Sequence, residues 1–76
     1  MSPDRKLLAM QIKAFRELRK LSQEALADKA GIHRVSLANI ERGAKLPTLD
    51  TLERLSKALQ IALGRLVAVK GKKGGK

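Results

Sequence analysis

With 76 residues the chain has room for one domain whose core must come from short elements, which excludes most enzyme architectures. Hydrophobic residues make up 43% and aromatics 1%, so the core is drawn from Leu, Ile, Val and Ala around one ring, Phe15, a mixture that suits helices better than sheets. A formal charge of +10, from 17 Lys and Arg against 7 Asp and Glu, points to a polyanionic partner or an acidic membrane surface.

The first helix start is written in Ser2, Pro3 and Asp4: an N-cap, a proline at the first helical position and a carboxylate beside the positive dipole end. Leu8, Ile12, Phe15 and Leu18 then recur at helical spacing to about residue 19. A second start lies at Ser22, before Leu26, Ala27 and Ala30, and Gly31 supplies the residue past the end that can take a positive φ. A third helix runs from His33 or Arg34 to Glu41, burying Leu37 and Ile40 and ending before Gly43. The stretch from Gly43 to Pro47 is a loop. Thr48 caps a fourth helix with Leu49, Leu52, Leu55 and Leu59 on one face, and Asp50 with Arg54 and Glu53 with Lys57 spaced as i,i+4 pairs on the other. Ala62 to about Val67 fits a short fifth helix, with a strand at LVAV as the alternative. The last segment, GKKGGK from Gly71 to Lys76, holds no apolar residue and with Lys70 is expected to form a disordered basic tail over residues 70–76, leaving residues 1–69 as the domain.

Two short helices joined by a tight glycine-containing turn are what a helix-turn-helix requires. Counting Gln23 as the first of twenty positions, the sites where the two helices meet are Leu26, Ala30, Ile32, Leu37 and Ile40, and all are apolar. The site of closest approach is Ala27 and the turn site four residues on is Gly31, both small as the geometry demands.

The stretch LSQEALADKAGIHRVSLANIERG, followed by LPTLDTLERLSKAL and IALGRLV, resembles the helix-turn-helix family of lambdoid phage repressors and Cro, and among bacterial relatives the controller proteins of restriction-modification systems. The resemblance covers about residues 12–67. It implies an all-α fold of five helices, usually dimerised through the C-terminal part, and a role as a DNA-binding transcriptional regulator. It further implies a partly buried ion pair between Arg16 and Glu41, and a phosphate contact from the side chain and backbone N–H of Gln23. Two features depart from the family: Lys20 stands where relatives often have glycine, so a non-glycine αL residue or another turn is needed there, and the basic tail has no counterpart.

With Leu37 and Ile40 pointing inward, Arg34, Val35, Ala38, Asn39 and Arg42 face largely outward. Arg34 suits guanine O6 and N7, Asn39 suits adenine N6 and N7 or an adjacent base, Val35 suits a thymine methyl or packs inward, and Ser36 assists base or phosphate. Arg42 and Lys45 flank the following loop and suit phosphates; His33 suits a phosphate or a capping role. Residues 21–46 carry four basic and three acidic groups, whereas residues 1–20 carry six and two and residues 47–76 seven and two. Reading in the middle therefore relies on shape and hydrogen bonds, with the flanks supplying attraction.

The resulting expectation is a homodimer bound to double-stranded DNA at a palindrome with half-sites about one turn, roughly 34 Å, apart. Leu63, Leu66, Val67 and Val69 are the candidate dimer interface. The alternative is an antitoxin that autoregulates its operon and neutralises a toxin through another surface, favoured if LVAV forms an intersubunit strand. A third class, motivated by charge alone, is a non-specific nucleoid or RNA-binding protein. An enzyme is the weakest option, with no cysteine, a single histidine, no phosphate loop and no paired acid cluster. No cofactor or metal is called for. Without cysteine, a long apolar run or a secretory signal, the expected compartment is the reduced cytoplasm.

Overall fold

The computed structural model describes residues 5–67, which form five helices in the order α1 (Arg5–Leu18), α2 (Gln23–Ala30), α3 (Arg34–Glu41), α4 (Leu49–Leu59) and α5 (Leu63–Leu66). The proposed start at Ser2, Val69 and the basic tail lie outside the described residues. Helix α2 packs on α3 and α4, α1 packs on α3 and α5, and α5 closes against α4. One core results, made of Leu8, Ile12, Leu26, Ala27, Ala30, Leu37, Ile40, Leu55, Leu59 and Leu66, with Phe15, Leu21, Ile32 and Leu52 packed around it. The second half of LVAV is beyond the described residues, but its first residue, Leu66, is helical, so the helix and not the strand forms there.

The side-chain caps fall where the sequence places them. Ser22 accepts from the Ala25 N–H at 3.0 Å and Thr48 from the Thr51 N–H at 3.1 Å, each pairing an amide that the first helical turn leaves open. The C-termini share one solution. In each of α1 to α4 a residue one or two positions past the end bonds back three residues and its successor bonds back five: Lys20 to Glu17 and Leu21 to Arg16, Gly31 to Asp28 and Ile32 to Ala27, Gly43 to Ile40 and Ala44 to Asn39, Gln60 to Lys57 and Ile61 to Ser56. This is the Schellman arrangement, which needs a positive φ at its pivot. Gly31 and Gly43 supply it at φ 71° and 77°, and Lys20 and Gln60 adopt it without glycine at φ 60° and 59°.

Three expectations are corrected. Leu18 and Leu49 sit on the apolar rows of α1 and α4, yet they are 66% and 63% exposed, one as the last residue of α1 and the other as the first of α4. Leu66 is fully buried within the chain's own core, so its side chain is not available to a dimer interface. Of the two charge pairs expected on α4, Asp50–Arg54 forms at 2.9 Å, and Glu53 and Lys57 stay outside ion-pair distance.

Candidate nucleic-acid interface

Gly31 turns the chain so that α3 leaves at an angle set by the apolar contacts of Leu26, Ala27 and Ala30 with Leu37 and Ile40, all buried. A side chain larger than alanine at residue 27 would separate the helices, since Ala27 is itself 2% exposed. Pinned through Leu37 and Ile40, α3 turns its other side to solvent. Arg34 is exposed and makes no hydrogen bond or ion pair among the described residues. Val35 is 63% exposed, which removes the inward-packing option and leaves its methyl groups open. Ser36, Ala38 and Asn39 are half-buried along the same side.

The helix is held from behind by one carboxylate. Arg16 on α1 donates through Nε to Glu41 Oε2 at 2.7 Å and through Nη2 to Oε1 at 3.0 Å, with side chains 11% and 3% exposed. Gln23 Nε2 donates to the same Oε1 at 3.1 Å, so Glu41 joins α1, α2 and α3 at one point. Arg16 also donates through Nη1 to the Leu21 carbonyl at 2.8 Å, bracing the turn between α1 and α2. The hydrogen bond to Glu41 holds the Arg16 guanidinium above its ordinary pKa against the burial that lowers it.

The candidate phosphate contacts divide by environment. Gln23 directs part of its donor capacity inward to Glu41, leaving its backbone N–H, which no helical carbonyl pairs, at the start of α2. His33 occupies the N-cap position of α3 with extended backbone, but its side chain makes no cap hydrogen bond. The capping role is thereby corrected: an imidazole lacks the short oxygen-bearing arm that folds back onto the second or third amide. Its ring stays exposed beside the open amides of α3. Lys45 is exposed in the loop after α3. Arg42 is exposed too, but it is not free: its Nη2 donates to Asn39 Oδ1 at 2.9 Å.

Sequence patterns did not single out Arg19, whose Nε donates to the Leu59 carbonyl at 2.8 Å and whose Nη2 donates to the Gln60 carbonyl at 3.2 Å. This side chain caps α4 from the turn that follows α1 and ties the C-terminal half to the reading unit. Arg65 lies over the Phe15 ring at 5.8 Å and adds a second tie between α5 and α1. Among the described residues there is no cluster of His, Cys, Asp or Glu able to hold a metal ion.

A helix-turn-helix family model matches residues 12–66. The chain is 36% identical over 69 residues to the control protein C.SmaI of Serratia marcescens, covering 91% of this chain and 82% of that one. It is 45% identical over 60 residues to the immunity repressor protein of Bacillus phage phi105, covering 79% of this chain and 42% of that longer one. Among solved structures, the restriction-modification controller protein C.AhdI of Aeromonas hydrophila superposes with a TM-score of 0.81 at 30% identity, covering 83% of this chain and 96% of that one. The DNA-binding domain of the P22 c2 repressor superposes with a TM-score of 0.75 at 34% identity, covering 78% of each chain. The helix pair, its tight turn and these likenesses agree: the chain belongs to the helix-turn-helix family of Xre, Cro and C1 type, DNA-binding transcriptional regulators and not enzymes.

Proposed function

We propose that this regulator binds one double-stranded sequence as a homodimer, with α3 of each subunit in the major groove of a palindromic half-site. The observation that carries the reading is the two-sided character of α3. Leu37 and Ile40 are buried, while Arg34 and Val35 stand exposed beside Asn39 and Ser36, with no hydrogen bond or ion pair to the Arg34 side chain among the described residues. An exposed arginine in the first turn of a helix is poorly placed with respect to the dipole, and a guanine edge offsets that cost. Backbone amides at the start of α2, together with Gln23, His33, Arg42 and Lys45, border the same side and suit phosphates, which position the helix without selecting sequence.

The likeness to control proteins and a phage immunity repressor favours action at a promoter, in the cytoplasm on the nucleoid. None of the described helices is long and apolar enough to cross a membrane. For the dimer contact, Leu63 and Val67 remain surface candidates together with Val69, whereas Leu66 is withdrawn. The strand that favoured an antitoxin does not begin at Leu66, so no observation raises that alternative.

Selection of bound duplexes from a random pool at two salt concentrations tests the reading, since phosphate contacts make affinity fall steeply with salt. A palindromic motif weakened by Arg34→Ala and Asn39→Ala is the expected result. Equal retention of all sequences would leave only a charge-driven nucleoid or RNA-binding role.

A further inference from the structure

We propose that Arg42 is a positioning residue for base recognition: by bonding Asn39 Oδ1 it fixes the amide with its NH₂ group turned away, biasing Asn39 toward an acceptor edge such as guanine N7 and O6 or thymine O4 over adenine. The inference rests on the placement of α3 in the major groove argued above. Its starting point is the bond from Arg42 Nη2 to Asn39 Oδ1 at 2.9 Å, between residues three apart on the solvent side of the end of α3.

A guanidinium has donors and no acceptor, so only one orientation of the Asn39 amide satisfies this contact: Oδ1 toward Arg42 and the NH₂ group away from it. Adenine recognition needs the opposite use of the same side chain. There Oδ1 must accept from N6–H₂ while Nδ2 donates to N7, the two atoms lying side by side at the base edge. In this chain one of the two lone pairs of that oxygen is already taken and the amide orientation is set by it, and the cation beside it repels the N6–H₂ donor. The two Nδ2 hydrogens remain, and they match adjacent acceptors.

Arg34, at the other end of the helix, also offers donors alone. Arg34, Asn39 and Arg42 then give the reading edge a chiefly donor character, with the Ser36 hydroxyl able to donate or accept and Val35 between as a partner for a thymine methyl. Bases presenting a carbonyl in the major groove fit this edge at both ends. Arg42 keeps further guanidinium hydrogens for a phosphate, so loss of affinity on its removal does not distinguish the two roles. A change in base preference does.

The test is a binding selection with the full chain and three variants, Asn39→Ala, Arg42→Met and Arg42→Ala, with helicity and melting checked for each by circular dichroism. Asn39→Ala identifies the position Asn39 reads as the one whose preference flattens. The wild type should favour guanine or thymine there, on the order of tenfold over adenine. Both Arg42 variants should move that preference toward adenine while leaving the Arg34 position unchanged. Uniform loss of affinity, with a shallower salt dependence and the same motif, would assign Arg42 to a phosphate alone and overturn the proposal. So would a wild-type preference for adenine, or a motif that Asn39→Ala leaves intact. If the wild type enriches no motif, the sequence-specific reading itself falls, an outcome distinct from a motif that persists unchanged in the Arg42 variants.

Discussion

Arg34 and Glu41 stand at opposite ends of α3 and are held in opposite ways. The Arg34 side chain has no partner among the described residues, so Arg34→Ala removes no contact seen there. Stability should change by less than about 0.5 kcal/mol, while discrimination at one base pair of each half-site falls by about 1–3 kcal/mol, measured by competition between the selected duplex and its single-position variants. Glu41 accepts from Arg16 twice and from Gln23 once in a nearly dry setting. Glu41→Ala leaves the Arg16 guanidinium without its counter-ion, at a cost of about 3 kcal/mol, and thermal unfolding should move down by roughly 12–24 °C. The folded-state pKa of Arg16 is raised, so its stabilisation is complete below the ordinary arginine value and is lost only as pH rises through the folded value. Its contribution is therefore flat across the neutral range. Family resemblance named the Arg16–Glu41 partners in advance, but the bonds of Gln23 to Glu41 and Arg42 to Asn39 were not legible. Outward polar side chains choose between water and neighbours by local geometry, which residue type does not record.

Helix ends show the same contrast between pattern and geometry. Ser22, Thr48, Gly31 and Gly43 mark their boundaries because each residue type meets a specific backbone need, an acceptor for an open amide or freedom at positive φ. Lys20 and Gln60 meet the second need without the residue type that announces it. The departure from glycine at Lys20 was visible only against the family, and nothing in the residue itself marked Gln60. A left-handed residue with a Cβ costs roughly 1–2 kcal/mol, whereas the extra freedom of glycine in the unfolded chain costs roughly 0.5–1 kcal/mol. Lys20→Gly should therefore stabilise the chain, by up to about 1 kcal/mol, and raise its melting temperature by several degrees. Gly31→Ala should do the reverse by about 1–2 kcal/mol, since the added Cβ meets strain at φ 71° and a contact of 3.2 Å with Arg54 Nη1. Apolar periodicity, in turn, located the longer helices, left α5 open between helix and strand, and overstated how far the buried face extends. Leu18 and Leu49 continue the pattern to the terminal residue of their helices, where it no longer brings burial.

At the level of the whole molecule, α5 serves two ends that the sequence alone does not separate. Leu66 and Val67 are adjacent and apolar, and either suits an interface or a core. The structure divides them: Leu66 is fully buried beneath α1 and α4, while Val67 is exposed at the end of the short helix, one residue past the last turn. Substitution at the two positions should then have unlike consequences. Leu66→Ala opens a cavity where α5 seals the core and should lower stability by about 2–5 kcal/mol, shifting the whole urea transition. Val67→Glu places a charge in solvent, removes no core atom and should leave the secondary structure of the monomer unchanged. If Val67 lies in the proposed dimer contact, a like charge on both subunits faces itself across a two-fold axis, because such an interface uses the same patch twice. Association weakens, and the protein concentration for half-saturation of the selected duplex rises. Sedimentation at several concentrations, beside a binding isotherm for each variant, separates the two effects. A Val67→Glu protein that sediments and binds as the wild type does would move the dimer contact off this end of the molecule, and a wild type that remains monomeric with and without the duplex would remove it altogether.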